Sequence, residues 1–202
     1  MEDSPYVQLK KQEWENRKKL ILDTAVELFS KYPIPQVSMR DISKSAGIST
    51  ALIYRYFADR DELFIEAFLV KAEQMIETFR NSLRGQNPMT LETFCVSYVD
   101  FLCDNDPFFR MMTHFMLDST LKEEYVEKFN APMRNLLAVF DDVFRANGWE
   151  REIRLKTHAL FAALNGILIT FRRYPGRTEE ESRKHIRRLA KIVAQTFESI
   201  SR

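Results

Sequence analysis

Along almost the whole chain, apolar positions recur at helical spacing. Leu20, Ile21, Thr24, Ala25, Leu28 and Phe29 draw one stripe, with Lys19, Asp23 and Ser30 on the opposite face. Tyr32-Pro33-Ile34-Pro35 stops that helix, because two prolines cannot continue it. A second helix is expected from Ser38 to about Ala46, opened by a Ser38…Asp41 capping pair, and a third from about Ser49 to Phe57 after the turn Gly47-Ile48-Ser49. From Asp61 the periodic stretches lengthen. They predict helices over 61–83, ended by Gly85-Gln86-Asn87-Pro88, and over 90–103, stopped by Asp104-Asn105-Asp106-Pro107. Further helices are expected over 108–117, over 121–146 with a kink at Pro132, over 153–173, and over 178–199, whose first turn carries Glu179, Glu180 and Glu181.

Composition narrows what such a chain does. Its 202 residues suffice for a sizeable core, and 16 Phe, 7 Tyr and 2 Trp supply apolar surface that a disordered chain lacks. The five glycines lie far apart, so no dinucleotide fingerprint, phosphate loop or nucleophile elbow can be written. Scarce glycine also argues against an all-β fold. Cys95 and Cys103 match no zinc or redox spacing and read as core fillers in a reducing compartment. The polar, acidic start is unlike a secretion leader. The stretch 157–171 has no Asp, Glu, Lys or Arg, yet falls short of the roughly 20 residues that cross a bilayer. A soluble cytoplasmic protein with no membrane partner is expected.

Net charge is only +1, but residues 10–60 hold ten Lys or Arg against six Asp or Glu. That bias suits an anionic partner near the amino end. There, two short helices about a glycine turn make a helix-turn-helix. Ile42, Ala46, Ile48, Leu52 and Ile53 supply the contacts that lock the pair, and the second helix exposes Thr50, Ala51, Tyr54, Arg55 and Tyr56. Short side chains at a helix start approach base edges, while Tyr and Arg suit phosphates. The competing view is an ordinary helical hairpin. It fits poorly, since a buried Tyr54-Arg55-Tyr56 would need partners for its hydroxyls and guanidinium.

The run from Ser38 through Ala46-Gly47-Ile48-Ser49, Tyr54-Arg55-Tyr56-Phe57 and Arg60 to Glu62-Leu63 resembles the DNA-binding domain of the TetR family of bacterial transcriptional regulators. The resemblance implies an all-α fold: an N-terminal three-helix DNA-binding domain with a helix-turn-helix (1–60), then a six-helix ligand-binding and dimerisation domain (61–202). It implies that Ser38 caps the second helix and touches a phosphate, and that Arg40 faces backbone or base edge. Thr50 and Ala51 then sit where bases are read, Tyr54, Tyr56 and Arg60 where phosphates are held, and Arg55 in either role. Ala51 stands where the family often has Gly, Ser43 where it usually has Ala, and Tyr-Pro-Ile-Pro replaces the usual glycine-containing link.

The later helices are rich in Phe and Met, which reads first as core filling, and as a set suits an adaptable apolar cavity. The resemblance implies an effector pocket there, with Phe94, Tyr98, Phe101, Met112, His114, Phe115, Met133, Phe140, His158 and Asn165 as candidate lining. Ala159, Ala162, Ala163 and Gly166, with Leu189, Ile192, Val193 and Phe197, form a candidate homodimer face. The arginines of 172–173 and 183–188 read as solvated surface. The expectation is therefore a ligand-responsive regulator, most simply a dimeric repressor that binds double-stranded palindromic operator DNA and is released by a small apolar or aromatic effector. A protein-binding helical adaptor ranks behind it. A helical-bundle enzyme ranks last: no Glu-x-x-His pair accompanies His114, His158 or His185, and no metal, cofactor or catalytic group is expected.

Overall fold

A computed structural model describes residues 4–84, 89–117 and 122–200, with nothing stated for the Ile200 side chain. The described residues form nine α-helices and one 3-10 turn. In chain order these are α1 (Pro5–Lys31), the 3-10 turn Ile34–Gln36, α2 (Met39–Ser45), α3 (Thr50–Ile53), α4 (Arg60–Leu83), α5 (Leu91–Asp104), α6 (Asp106–Leu117), α7 (Glu123–Ala146), α8 (Ile153–Phe171) and α9 (Glu179–Ile200). The all-α fold is as the sequence pattern predicts. The expected stop at 85–88 and the expected start at Leu121 lie outside the described residues.

Three elements depart from expectation for local reasons. α3 is only four residues, and the chain from Tyr54 to Tyr56 continues as turns, with the amides of Tyr56 and Phe57 both donating to the Ile53 carbonyl (2.8 and 3.1 Å). α5 and α6 are separated by Asn105 alone. Its amide and side chain both close on the Phe101 carbonyl (3.0 and 2.8 Å), and Pro107 sits in the first turn of α6, where a missing N–H costs nothing. Pro132 lies inside α7, in keeping with the single helix expected to run through it.

The chain divides into two compact units. The first holds residues 1–71 and 107–129, the second 72–106 and 130–202, so α4 and α7 each contribute to both. In the first unit, Ile21, Ala25 and Phe29 of α1, Ile42 of α2, Ile53 of α3 and Leu63, Phe64 and Phe68 of α4 are buried. Ring contacts run Phe29–Phe64 (5.0 Å), Phe64–Phe115 (4.7 Å) and Phe115–Phe129 (4.6 Å). Each such side chain contributes about 1.5–3 kcal/mol on burial. Arg110 of α6 donates to the carbonyls of Ser30 and Tyr32 (2.7 and 2.9 Å), satisfying acceptors that the end of α1 leaves open.

In the second unit α5 is the central helix, burying Leu91, Phe94, Cys95, Tyr98, Val99 and Leu102. Leu160, Leu164 and Leu168 of α8 and Ile186, Ala190 and Ala194 of α9 are also buried. Of the arginines expected to be solvated surface, Arg173, Arg187 and Arg188 are exposed and Arg172 and Arg183 half-buried, and four of the five are ion-paired. Arg183 bridges Asp100 and Asp104 (3.2 and 2.6 Å), Arg187 meets Asp100 (2.7 Å), and Arg172 and Arg173 share Asp106. Two carboxylates hold the Arg183 guanidinium well above its ordinary pKa. Among the described residues, no helix is long and apolar enough to cross a membrane.

Candidate nucleic-acid interface

The helix-turn-helix is built by two caps and one turn. Ser38 accepts the Asp41 amide at 3.2 Å while the Asp41 carboxylate accepts the Ser38 amide at 3.0 Å, a complete capping box on α2. The hydrogen bonds from the Ser38 side chain and amide hold the Asp41 carboxyl below its usual pKa. Ser49 opens α3 by accepting the Leu52 amide at 3.2 Å. Between them, the Gly47 amide donates to Lys44 (3.3 Å) and the Ile48 amide to Ser43 (3.0 Å), the paired bonds of a Schellman turn. Gly47 has φ +68°, the left-handed conformation such a turn requires.

Ser43 and Thr50 then tie the two helices together. The Ser43 hydroxyl donates to the Arg40 carbonyl at 2.9 Å, so the 2.8 Å contact with Thr50 has the Thr50 hydroxyl as donor. Thr50 is half-buried in consequence. Ser38, Arg40, Ala51, Tyr54 and Arg55 are exposed on the same unit, and 53% of the Tyr54 surface is open. Tyr56 is half-buried with its ring stacked on Trp14 of α1, centroids 4.0 Å apart. Arg60 is turned inward: its Nη1 lies 3.2–3.5 Å from the carbonyls of Ile34, Pro35 and Val37, so it braces the 3-10 turn. The first unit thus brings together every residue expected at the DNA, with Thr50, Tyr56 and Arg60 already partnered within the chain.

The start of α4 is held from two sides. Asp59 accepts the Glu62 amide (2.8 Å), and Glu62 accepts the Ala58 amide (2.6 Å). Lys122 and the Tyr125 hydroxyl (3.2 Å) also reach Asp59. Burial raises the Asp59 pKa, but the bonds from Lys122, the Glu62 amide and Tyr125 outweigh it and leave the carboxyl below its ordinary value. Burial and the neighbouring Asp59 push the Tyr125 hydroxyl up to about 12.

The residues expected in the effector pocket divide between the units. In the second, Phe94 meets Phe140 edge-on (4.7 Å), Tyr98 meets Phe140 (5.1 Å), Phe101 lies beside Phe79 (5.8 Å), and Asn165 donates to the Tyr98 hydroxyl at 3.1 Å. The same Asn165 amide donates to the Phe161 carbonyl, yet its own oxygen is buried without a partner among the described residues. Burial drives the Tyr98 pKa upward, so the phenol stays protonated. Met133 is half-buried in this unit and His158 is exposed on α8. In the first unit, Met112 and Phe115 are buried and His114 meets the edge of Phe64 at 5.5 Å.

On the candidate dimer face, Ala159, Ala162, Gly166 and Ile192 are exposed, whereas Ala163, Leu189, Val193 and Phe197 are half-buried, and Phe197 meets Phe144 within the chain (5.9 Å). Leu155 and Ile169 extend the exposed row of α8 at 65% and 55% exposure. Sequence reasoning missed these two, although their four- and three-residue spacing from Ala159 and Gly166 was readable. It also missed Trp14, whose partner lies across the fold, and Phe161, which packs on Tyr98 and Phe140.

Residues 21–67 match the family model described as bacterial regulatory proteins, tetR family. The chain is 39% identical over 56 residues to the HTH-type transcriptional regulator AcrR of Shigella flexneri, a match covering 28% of this chain and 26% of that protein. Over 113 residues it is 26% identical to the nucleoid occlusion factor SlmA of Haemophilus ducreyi, covering 54% and 55%. The chain therefore spans about a quarter to half the length of these relatives. A crystal structure of the transcriptional regulator FadR from Bacillus subtilis in complex with stearoyl-CoA superposes with a TM-score of 0.71 at 19% identity, covering 88% of this chain and 95% of that one.

Proposed function

The chain belongs, through its amino-terminal segment, to the tetR family of bacterial regulatory proteins, and on that premise we propose that it is a ligand-responsive, dimeric transcriptional repressor. The observation that carries the reading is the helix-turn-helix itself, a rigidly capped pair that leaves Ala51, Tyr54 and Arg55 open to a duplex. Residues 1–60 read the operator; residues 61–202 bind the effector and form the dimer. Ala51 meets a base edge, where its methyl suits a thymine methyl, and Tyr54 meets a phosphate. Two copies read a palindrome whose half-sites lie one turn apart, about 34–36 Å, or a multiple of it.

The effector is a small, largely apolar molecule. Support comes from the aromatic group around Tyr98 and Phe140, and from the Asn165 oxygen, which is buried without a donor. A ligand hydrogen-bond donor would satisfy that acceptor, since an unpaired buried acceptor costs about 1–3 kcal/mol. The coupling that lowers operator affinity is typically about 1–3 kcal/mol. Selection of bound sites from random duplexes tests the operator reading: an enriched palindrome is expected, and no enrichment at moderate salt refutes it. A ligand screen scored by release from that site then tests the effector.

A further inference from the structure

The part of α1 that precedes the family match carries a second charged surface. Trp14 lies with its ring on that of Tyr56, in the turn that follows α3. On an α-helix, the side chains sharing a face with Trp14 are those three and four positions away. These are Lys10, Lys11, Arg17 and Lys18, and all four are basic. Glu13 and Glu15, one position either side of Trp14, border that face three and four positions from its cations, yet neither makes an ion pair among the described residues. Lys18 is engaged within the unit by Glu66 at 3.2 Å. Lys11 and Arg17 are exposed with no ion-pair partner among the described residues, and Lys10 lies only over the Tyr6 ring, 4.6 Å from its centroid.

We propose that this stripe is a second nucleic-acid contact, in which Lys10, Lys11 and Arg17 hold backbone phosphates flanking the bases met by α3. The inference rests on the DNA-binding reading above and extends it beyond the matched residues 21–67. Charge and spacing together favour a duplex backbone. The three groups span about 10 Å of helix at 1.5 Å per residue, and one DNA strand presents a phosphate about every 3.4 Å. The Trp14–Tyr56 stack ties this part of α1 to the recognition turn, so the cations are held beside the tyrosine rather than on a free arm.

The test compares wild type with the triple variant Lys10→Ala, Lys11→Ala, Arg17→Ala on a duplex selected by the wild type, across a salt series and by hydroxyl-radical protection. Each phosphate contact contributes about 0.9 to the slope of log K against log salt. The variant is expected to lose roughly ten- to a hundred-fold in affinity at moderate salt, with a slope shallower by about 2–3 and unchanged base preference. Protection shortens at the outer end of each half-site. Trp14→Ala keeps every charge and is expected to weaken binding several-fold, which separates the stack from the cations. Unchanged slope and protection in the triple variant, with circular dichroism showing wild-type helicity, overturns the proposal. If the wild type enriches no sequence but binds mixed duplex with a slope that the variant flattens, the operator reading fails and the stripe stands.

Discussion

Gly47 shows what a single position carries. A Cβ built there meets nothing within 4 Å, so space does not reserve the site; the φ of +68° does. Gly47→Ala is expected to cost about 1–2 kcal/mol through the left-handed backbone alone, with Gly47→Asn costing less, as read by urea denaturation. The alanine-glycine turn was plain in the sequence. The bond between Ser43 and Thr50 was not, because it crosses the turn and joins residues that no local pattern pairs. Ser43→Ala leaves the half-buried Thr50 hydroxyl without its acceptor and is expected to cost about 1 kcal/mol, measurable by the same denaturation. Arg60 is a harder case. Its charge and position at the head of α4 suggest a phosphate ligand, whereas its guanidinium is occupied by the carbonyls of the 34–37 turn. Arg60→Ala is therefore expected to lower the melting temperature as well as DNA affinity, and a loss of affinity with unchanged melting would show the bracing role to be minor.

Among elements, the start of α7 and the start of α4 are joined through Asp59, which receives Lys122 and Tyr125. The folded pKa of Asp59 is depressed, so its stabilising contribution is present above the unfolded value of about 4 and is lost as pH falls through the lower folded value. Asp59→Asn is expected to be less stable than wild type at neutral pH. The gap between the two closes as pH falls through the folded pKa of Asp59, and unfolding titrations at several pH values check it. A gap that persisted into strong acid would place the lost stability in the cap of α4 instead. The alternation of stripes and breakers was enough to read these helices, since helical period and proline positions are local properties. Element ends were less legible. Asn105 alone divides α5 from α6, because Pro107 is harmless in a first turn, and α3 is cut to four residues by the turns that seat Tyr56 and Phe57.

For the whole molecule, the exposed row Leu155, Ala159, Ala162, Gly166 and Ile169 gives α8 a continuous apolar edge. Small side chains let a second helix approach closely, and we assign this edge to the partner copy. Ala162→Glu places a charge there and is expected to yield monomers in sedimentation velocity, with operator affinity falling because one half-site binds alone. A dimer that survives the change would move the interface elsewhere. The arginine-rich end of the second unit belongs to a different account: Asp100, Asp104 and Asp106 hold those guanidiniums, whereas Arg40 and Arg55 of the helix-turn-helix and Lys11 and Arg17 of α1 are exposed with no ion-pair partner among the described residues.

The sequence by itself determined the helical class, the capped helix-turn-helix and its exposed tyrosine and arginine, because caps, turns and amphipathic stripes act within a few residues of one another. Tertiary structure decided which polar groups remain available. Only folding brings Trp14 to Tyr56, turns Arg60 toward three carbonyls, buries the Asn165 oxygen without a donor and exposes His158. Each of those outcomes depends on contacts between residues far apart in the chain, and side-chain type and spacing carry no record of them.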